Sequence, residues 1–92
     1  MTTRKKEETN QLLACEKAFH ALQTLGYKIL LRNYECPLGE VDFVAKQENA
    51  LVFITVNRVL DQEKTQKVAL YYLKRYAIPT THVRYDNFMV AV

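Results

Sequence analysis

The sequence of 92 residues lacks tryptophan, has only two glycines and two prolines, and contains no apolar run near the roughly 20 residues of a membrane span. No repeat or low-complexity segment interrupts it, so we expect folded structure over nearly its whole length. The start, MTTRKKEETN, has no apolar core like that of a secretory signal. We therefore expect a cytoplasmic protein that does not enter the membrane, with residues 1–9 as a flexible N-terminal lead-in and residues 10–92 as a single domain.

Side chains that bind zinc are also scarce. The two cysteines, Cys15 and Cys36, form no CxxC pair and fall on different predicted elements. His20 and His82 have no second ligand at a useful spacing. The sequence therefore predicts neither a zinc site nor a disulfide framework.

The charge is modest and unevenly distributed. Thirteen basic side chains against ten acidic ones give a net charge of +3. Residues 1–57 hold seven of each sign, whereas residues 58–92 hold six basic and three acidic side chains. An anion-binding surface is therefore expected in the C-terminal third.

Hydrophobic periodicity divides the chain into six elements. Apolar residues recur at helical spacing from Asn10 until Gly26, whose lack of a Cβ atom permits the left-handed conformation of a helix cap. Asp61 is a candidate N-cap for a second helix. The order α-β-β-β-α-β predicts an α/β fold in which two helices flank a mixed sheet. The predicted strands are 27–34, 40–46, 51–58 and 81–92.

Four polar positions come together if residues 47–50 form the turn of a tight hairpin. An antiparallel register then places Asp42 opposite Thr55 and Glu40 opposite Asn57 on one face of the sheet. Opposed Cβ atoms lie about 4.5 to 5.5 Å apart, close enough for two carboxylates to share a divalent cation. The hairpin therefore has the geometry of a metal site.

Five short motifs follow one another along most of the chain. They are LGYKIL at 25–30, RNY at 32–34, GEVD at 39–42, LVF at 51–53 and VRYD at 83–86. The first four match, in order and spacing, the pattern of the YraN-like family of small endonuclease-like proteins in the PD-(D/E)xK nuclease superfamily, and the fifth is similar to the closing RFD motif of that family. The resemblance implies a nuclease-like domain with a restriction-endonuclease-like core.

The resemblance also implies that the catalytic centre is degenerate. In the superfamily a strand aspartate and the acid of an E-x-K element bind Mg²⁺, and the lysine activates the attacking water. The aspartate maps to Asp42, but Thr55 and Asn57 occupy the acid and lysine positions. The glutamate of the first helix maps to Cys15, with Glu16 about 100° away around the helix.

Glu40 and Asp42 remain as an acid pair. They either hold Mg²⁺ weakly, with no other cofactor expected, or form a hydrogen-bonded polar pair on the sheet. Catalysis would require a lysine displaced from another strand, and Lys28 and Lys46 are the candidates.

The second helix carries a basic stripe with an interleaved aromatic ring, which is typical of a surface that follows a phosphate backbone. A solvated helix face explains the same residues. Arg84 on the last strand either pairs with Asp86 or contacts a phosphate. The stripe consists of Lys64, Lys67, Tyr71 and Lys74.

Three functional hypotheses follow. The first is a catalytically degenerate nuclease-like domain that binds nucleic acid without cleaving it. The second is a protein-interaction or structural subunit on the same fold, with a protein partner or a second copy on the vacated face. The third is an active metal-dependent endonuclease with a rebuilt centre.

Overall fold

A computed structural model describes residues 2–79 and 82–92, with side chains described from residue 8 onward in these ranges. The predicted order of six elements is confirmed. No helix of the described chain is both long and apolar enough to cross a bilayer. The elements are α1 (Thr2–Thr24), β1 (Lys28–Cys36), β2 (Gly39–Gln47), β3 (Ala50–Val56), α2 (Gln62–Arg75) and β4 (Val83–Phe88).

The ends of the first and last elements differ from the predicted ones. Helix α1 begins at Thr2 rather than Asn10, because the charged residues before the apolar stripe are themselves good helix formers. It passes through the segment expected to be a lead-in, and the division at residue 9 stays a prediction. Strand β4 ends at Phe88, short of the predicted end, while Thr81 lies outside the described residues.

The four strands form one mixed sheet in the order β1-β2-β3-β4. β2 pairs antiparallel with both β1 and β3, whereas β3 and β4 are parallel, because α2 connects them across one face. The predicted mixed sheet with two helices is therefore confirmed.

The helices cover opposite faces of the sheet, which we call the α1 face and the α2 face. On the α1 face, Ala14, Ala18 and Leu22 pack on side chains such as Phe43 and Val52. The two alanines bring the helix close to the sheet. Leu12, which marks the start of the apolar stripe, is 69% exposed. On the α2 face, the buried cluster consists of Val68, Ala69 and Tyr72 with Val41, Val44, Leu51 and Phe53.

The alternation of side chains along β2 is broken at Asp42. Val41 and Val44 both pack on the α2 face, although they are three positions apart and regular alternation would place them on opposite faces. Phe43 packs on the α1 face. On the neighbouring strand β1, Asn33 has a left-handed φ of 54°. The pairs Arg32↔Phe43 and Tyr34↔Val41 flank Asn33 on β1 and Asp42 on β2, so the two residues lie opposite each other. The two strands therefore share a kink at Asn33 and Asp42.

Candidate functional site

The predicted register of the hairpin is confirmed only up to this kink. β2 and β3 pair from Gln47↔Ala50 to Phe43↔Ile54, one pair short of Asp42 and Thr55. Beyond that point Oδ2 of Asp42 accepts a hydrogen bond of 2.7 Å from the backbone N–H of Val56. The Asp42 carboxylate thus occupies the space between the two strands where a main-chain partner would lie.

The prediction that Glu40, Asp42, Thr55 and Asn57 project from one face is wrong. Thr55 and Glu40 line a cavity beside α2, whereas Asp42 interacts with Cys15 of α1. The physical reason is the kink, since an irregular residue in a strand reverses the direction of the side chains that follow it.

Asp42 is 5% exposed, and both of its carboxylate oxygens have partners. Oδ1 lies 2.5 Å from Nη2 of Arg58, and Oδ2 is bound to the Val56 amide. A buried carboxylate remains charged at low cost only when a cation and hydrogen bonds compensate it. Arg58 supplies that cation.

The same guanidinium extends toward Glu40. Nη1 of Arg58 lies 4.0 Å from Oε1 of Glu40, whose side chain is 57% exposed. Arg58 therefore lies between the two acids that a divalent cation would have to bridge. Within the described residues, no three histidine, cysteine or acidic side chains are grouped as metal ligands.

Sequence reasoning missed Arg58. The signal that points to it is the carboxylate of Asp42 between the apolar residues Val41 and Phe43, because a carboxylate buried there requires a cation nearby. Arg58 comes two residues after Val56, the residue whose amide binds the same carboxylate. Arg58 is thus a basic side chain just after β3 that lies close to Asp42.

Cys15, which the resemblance maps to a glutamate of the first helix, lies against this pair. Burial, followed by the charge of Asp42 and a hydrogen bond to it, raises the pKa of the Cys15 thiol to about 11. The thiol is therefore protonated near neutral pH, and it is a poor metal ligand, because metals bind the thiolate.

Asn57, which the resemblance maps to the lysine position, holds the segment that follows β4. Its amide donates a hydrogen bond of 2.9 Å to the carbonyl of Val90 and accepts one of 2.8 Å from the Val90 N–H. Its backbone N–H donates to the carbonyl of Phe88. The left-handed φ of 53° at Asn57 directs the amide toward Val90, and asparagine tolerates that conformation better than lysine does. We call this arrangement the Asn57 clamp.

A cavity of about 190 Å³ lies beside α2, with Glu40, Thr55 and Arg58 in its lining. Its charged lining is balanced, with Arg58 and Lys64 against Glu40 and Asp61. Asp61 also caps α2, as predicted, by accepting a hydrogen bond from the Lys64 amide. The cavity therefore has no strong preference for an ion of either sign.

The two lysines considered as replacements for the catalytic lysine lie elsewhere. Lys28 and Lys46 are paired with each other at the opposite end of β1 and β2 from Asp42. The structure therefore places neither beside the acid pair.

The predicted basic stripe on α2 is accessible. Lys64, Lys67 and Lys74 are exposed and Tyr71 is partly buried. Arg75 is exposed as well, and eleven residues, or about three helical turns, separate it from Lys64. Of the stripe lysines, Lys67 forms an ion pair of 3.8 Å with Glu63 on its own helix. We call these four cations and Tyr71 the α2 stripe.

Arg84 lies on the other side of the sheet. It forms the expected pair with Asp86, at 2.9 Å, and donates hydrogen bonds to Tyr27 and Gln47. Burial, then the hydrogen bond to Asp86, raises the pKa of Tyr27. Since Val83 and Tyr85 pack on the α2 face, Arg84 points to the α1 face and does not extend the α2 stripe.

Comparison with known proteins identifies a family whose pattern this chain matches. The model of uncharacterised protein family UPF0102 matches residues 15–90. A UPF0102 protein of Caldicellulosiruptor saccharolyticus is 34% identical in an alignment of 85 positions that covers 77% of this chain and 72% of the relative. A UPF0102 protein of Moorella thermoacetica is 32% identical in an alignment of 100 positions that covers 94% of this chain and 80% of the relative. The matched region includes all four strands and α2.

Proposed function

This chain belongs to the uncharacterised protein family UPF0102, the YraN-like family, and we propose that it binds nucleic acid along α2 without cleaving it. The observation that carries the proposal is the position of Arg58. Its guanidinium lies between Glu40 and Asp42, so the acids of the superfamily centre already have a cation. Mg²⁺ would have to displace it, and we propose that Glu40 and Asp42 hold Mg²⁺ weakly at most.

The binding part of the proposal rests on the α2 stripe. From Lys64 to Lys74 it covers about 15 Å of helix, which corresponds to about four phosphates of one strand along the axis of a duplex. Three of its four cations form no ion pair with an acidic residue of the described chain. Lysines of this kind bind phosphates by releasing counterions, which gives affinity without sequence specificity.

The binding test measures fluorescence anisotropy of labelled duplex, single-stranded and branched DNA and of RNA at several salt concentrations. We expect the logarithm of affinity to fall with the logarithm of salt with a slope of about −3 to −4, since four cations would each release about one ion. Lys74→Gln should reduce the slope by about one. Lys17→Gln, which removes an exposed lysine from α1, is the matched control. Failure to bind at low salt, or an equal effect of the control, would refute the binding role.

The cleavage test incubates the pure protein with nicked, branched and single-stranded DNA in Mg²⁺ or Mn²⁺. We expect no cutting, because both the acid and the lysine of the E-x-K element are replaced. Cutting that Asp42→Asn abolishes would instead show an active centre. Metal affinity is measured separately, by titrating Mn²⁺ and following the broadening of the NMR signals of the Glu40 and Asp42 amides. Tight binding of Mn²⁺ would contradict the proposal that Arg58 occupies the space between the two acids.

A further inference from the structure

A pair of lysines lies directly opposed on the sheet, far from Asp42. Lys28 of β1 and Lys46 of β2 are Cα partners in the antiparallel ladder. Directly opposed positions place Cβ atoms about 4.5 to 5.5 Å apart, and like charges there repel. Neither lysine takes part in an ion pair within the described chain. Two adjacent positive charges are therefore free for an anion.

The lysines border a cavity of about 420 Å³. Its apolar lining includes Leu30, Leu51 and Ile78, and Asn49 of the hairpin turn adds an amide that can both donate and accept. Cavities that hold small molecules have volumes of about 300 to 1,000 Å³ and combine apolar walls with a few polar groups. A charged group at the lysines with an apolar or aromatic moiety on the floor fits this arrangement.

We propose that this cavity, the Lys28–Lys46 site, binds a nucleoside monophosphate group, either as a free nucleotide or as the phosphorylated end of a strand. A phosphate monoester carries about −1.5 to −2 charges near neutral pH and matches two lysines. A phosphodiester inside a strand carries one negative charge and would compensate the repulsion between Lys28 and Lys46 only in part. The base lies on Leu30, Leu51 and Ile78, with its polar edge toward Asn49. The site is separate from the α2 stripe and does not depend on it.

The first measurement follows backbone amide shifts in NMR titrations with adenosine monophosphate, adenosine and inorganic phosphate. We expect the nucleotide to shift the amides of Lys28, Lys46 and Asn49 and to bind about tenfold or more tightly than either fragment. Equal affinity for inorganic phosphate would overturn the nucleotide assignment. Shifts confined to other residues would overturn the site.

Substitutions identify the groups that bind. Lys28→Gln and Lys46→Gln should each weaken nucleotide binding about tenfold or more, because each removes one charge-assisted contact. Lys28→Arg should retain binding. Thermal unfolding without ligand verifies that every variant folds, and unchanged affinity in both glutamine variants would refute the proposal.

The two sources of the phosphate are separated with oligonucleotides that carry either a 5′-phosphate or a 5′-hydroxyl. Preference for the phosphorylated strand, abolished by Lys46→Gln, would indicate a strand end, whereas binding of the free nucleotide alone would indicate a small-molecule site. Lys67→Gln combined with Lys74→Gln is the control. It should weaken both oligonucleotides equally and leave nucleotide binding unchanged, so failure of the α2 stripe and failure of this site give different results.

Discussion

The charged side chains of strand β2 have partners toward one end of the strand and lack them toward the other. Toward the Gly39 end, which we call the compensated end, the buried carboxylate of Asp42 has Arg58 and a backbone amide as partners. Toward the Gln47 end, the uncompensated end, Lys46 faces Lys28, and neither forms an ion pair among the described residues. Burial explains the difference, since an unpaired charge is costly inside a protein and inexpensive in water. The compensated end supports the fold, and the uncompensated end is available to a ligand.

The largest expected effect comes from removing the cation at the compensated end. Arg58→Met should lower the free energy of unfolding by about 3 kcal/mol, because it leaves the Asp42 charge buried and unpaired. Urea denaturation measures the loss. Combining it with Asp42→Asn should recover most of the stability, since asparagine is neutral and can still accept from the Val56 amide. A double variant no more stable than Arg58→Met would contradict this account.

Burial beside Asp42 should protect Cys15 of α1 from chemical modification. With its pKa raised to about 11, above the ordinary range of a thiol, Cys15 should react with iodoacetamide at pH 8 about a hundredfold more slowly than in the urea-unfolded chain. Mass spectrometry of a Cys36→Ser variant isolates Cys15. Asp42→Asn should speed the reaction because it removes a negative charge beside the thiol, and an unchanged rate would show that burial alone sets the pKa.

Asn57→Lys tests whether the residue directly after β3 can be the lysine that the resemblance to the superfamily implies. We expect a loss of about 2 kcal/mol, because the change removes two hydrogen bonds to Val90 and places lysine at a positive φ. Hydrogen exchange at the Val90 amide should become faster. Glycine tolerates the backbone conformation but lacks the side-chain amide, so Asn57→Gly should lose only the stability that the two hydrogen bonds contribute. If both variants lose the same free energy of unfolding, the positive φ does not contribute to the loss in Asn57→Lys.

The smallest effect is expected at the uncompensated end. Lys28→Gln should raise the free energy of unfolding by about 0.5 kcal/mol, since it relieves the repulsion with Lys46. The gain should shrink as salt screens the charges. Adding Lys46→Gln should give no further gain, because one substitution already removes the repulsion. Loss of stability in either single variant would mean that the two lysines have unrecognised partners.

The sequence predicted the scaffold better than the site. Periodicity was sufficient for the order of elements and for the register near residues 47–50, because both follow from which side chains are buried. It did not predict the kink, which depends on the left-handed backbone at Asn33. Nor did it predict which cation would reach Asp42, since Arg58 lies beyond the end of β3 and its direction is set by tertiary structure. The function of the α2 stripe stays a prediction.

The Asn57 clamp has a consequence for redesign of this hairpin. Asn57 follows β3 directly and holds the segment after β4 through Val90, so that segment depends on an amide at position 57. An engineered lysine there would release the segment, and the stability margin of a small domain is only about 5 to 15 kcal/mol. An added metal would also have to compete with Arg58 for Asp42. Positions 57 and 90 therefore form one design unit, and a metal site built into this hairpin requires compensating changes after β4.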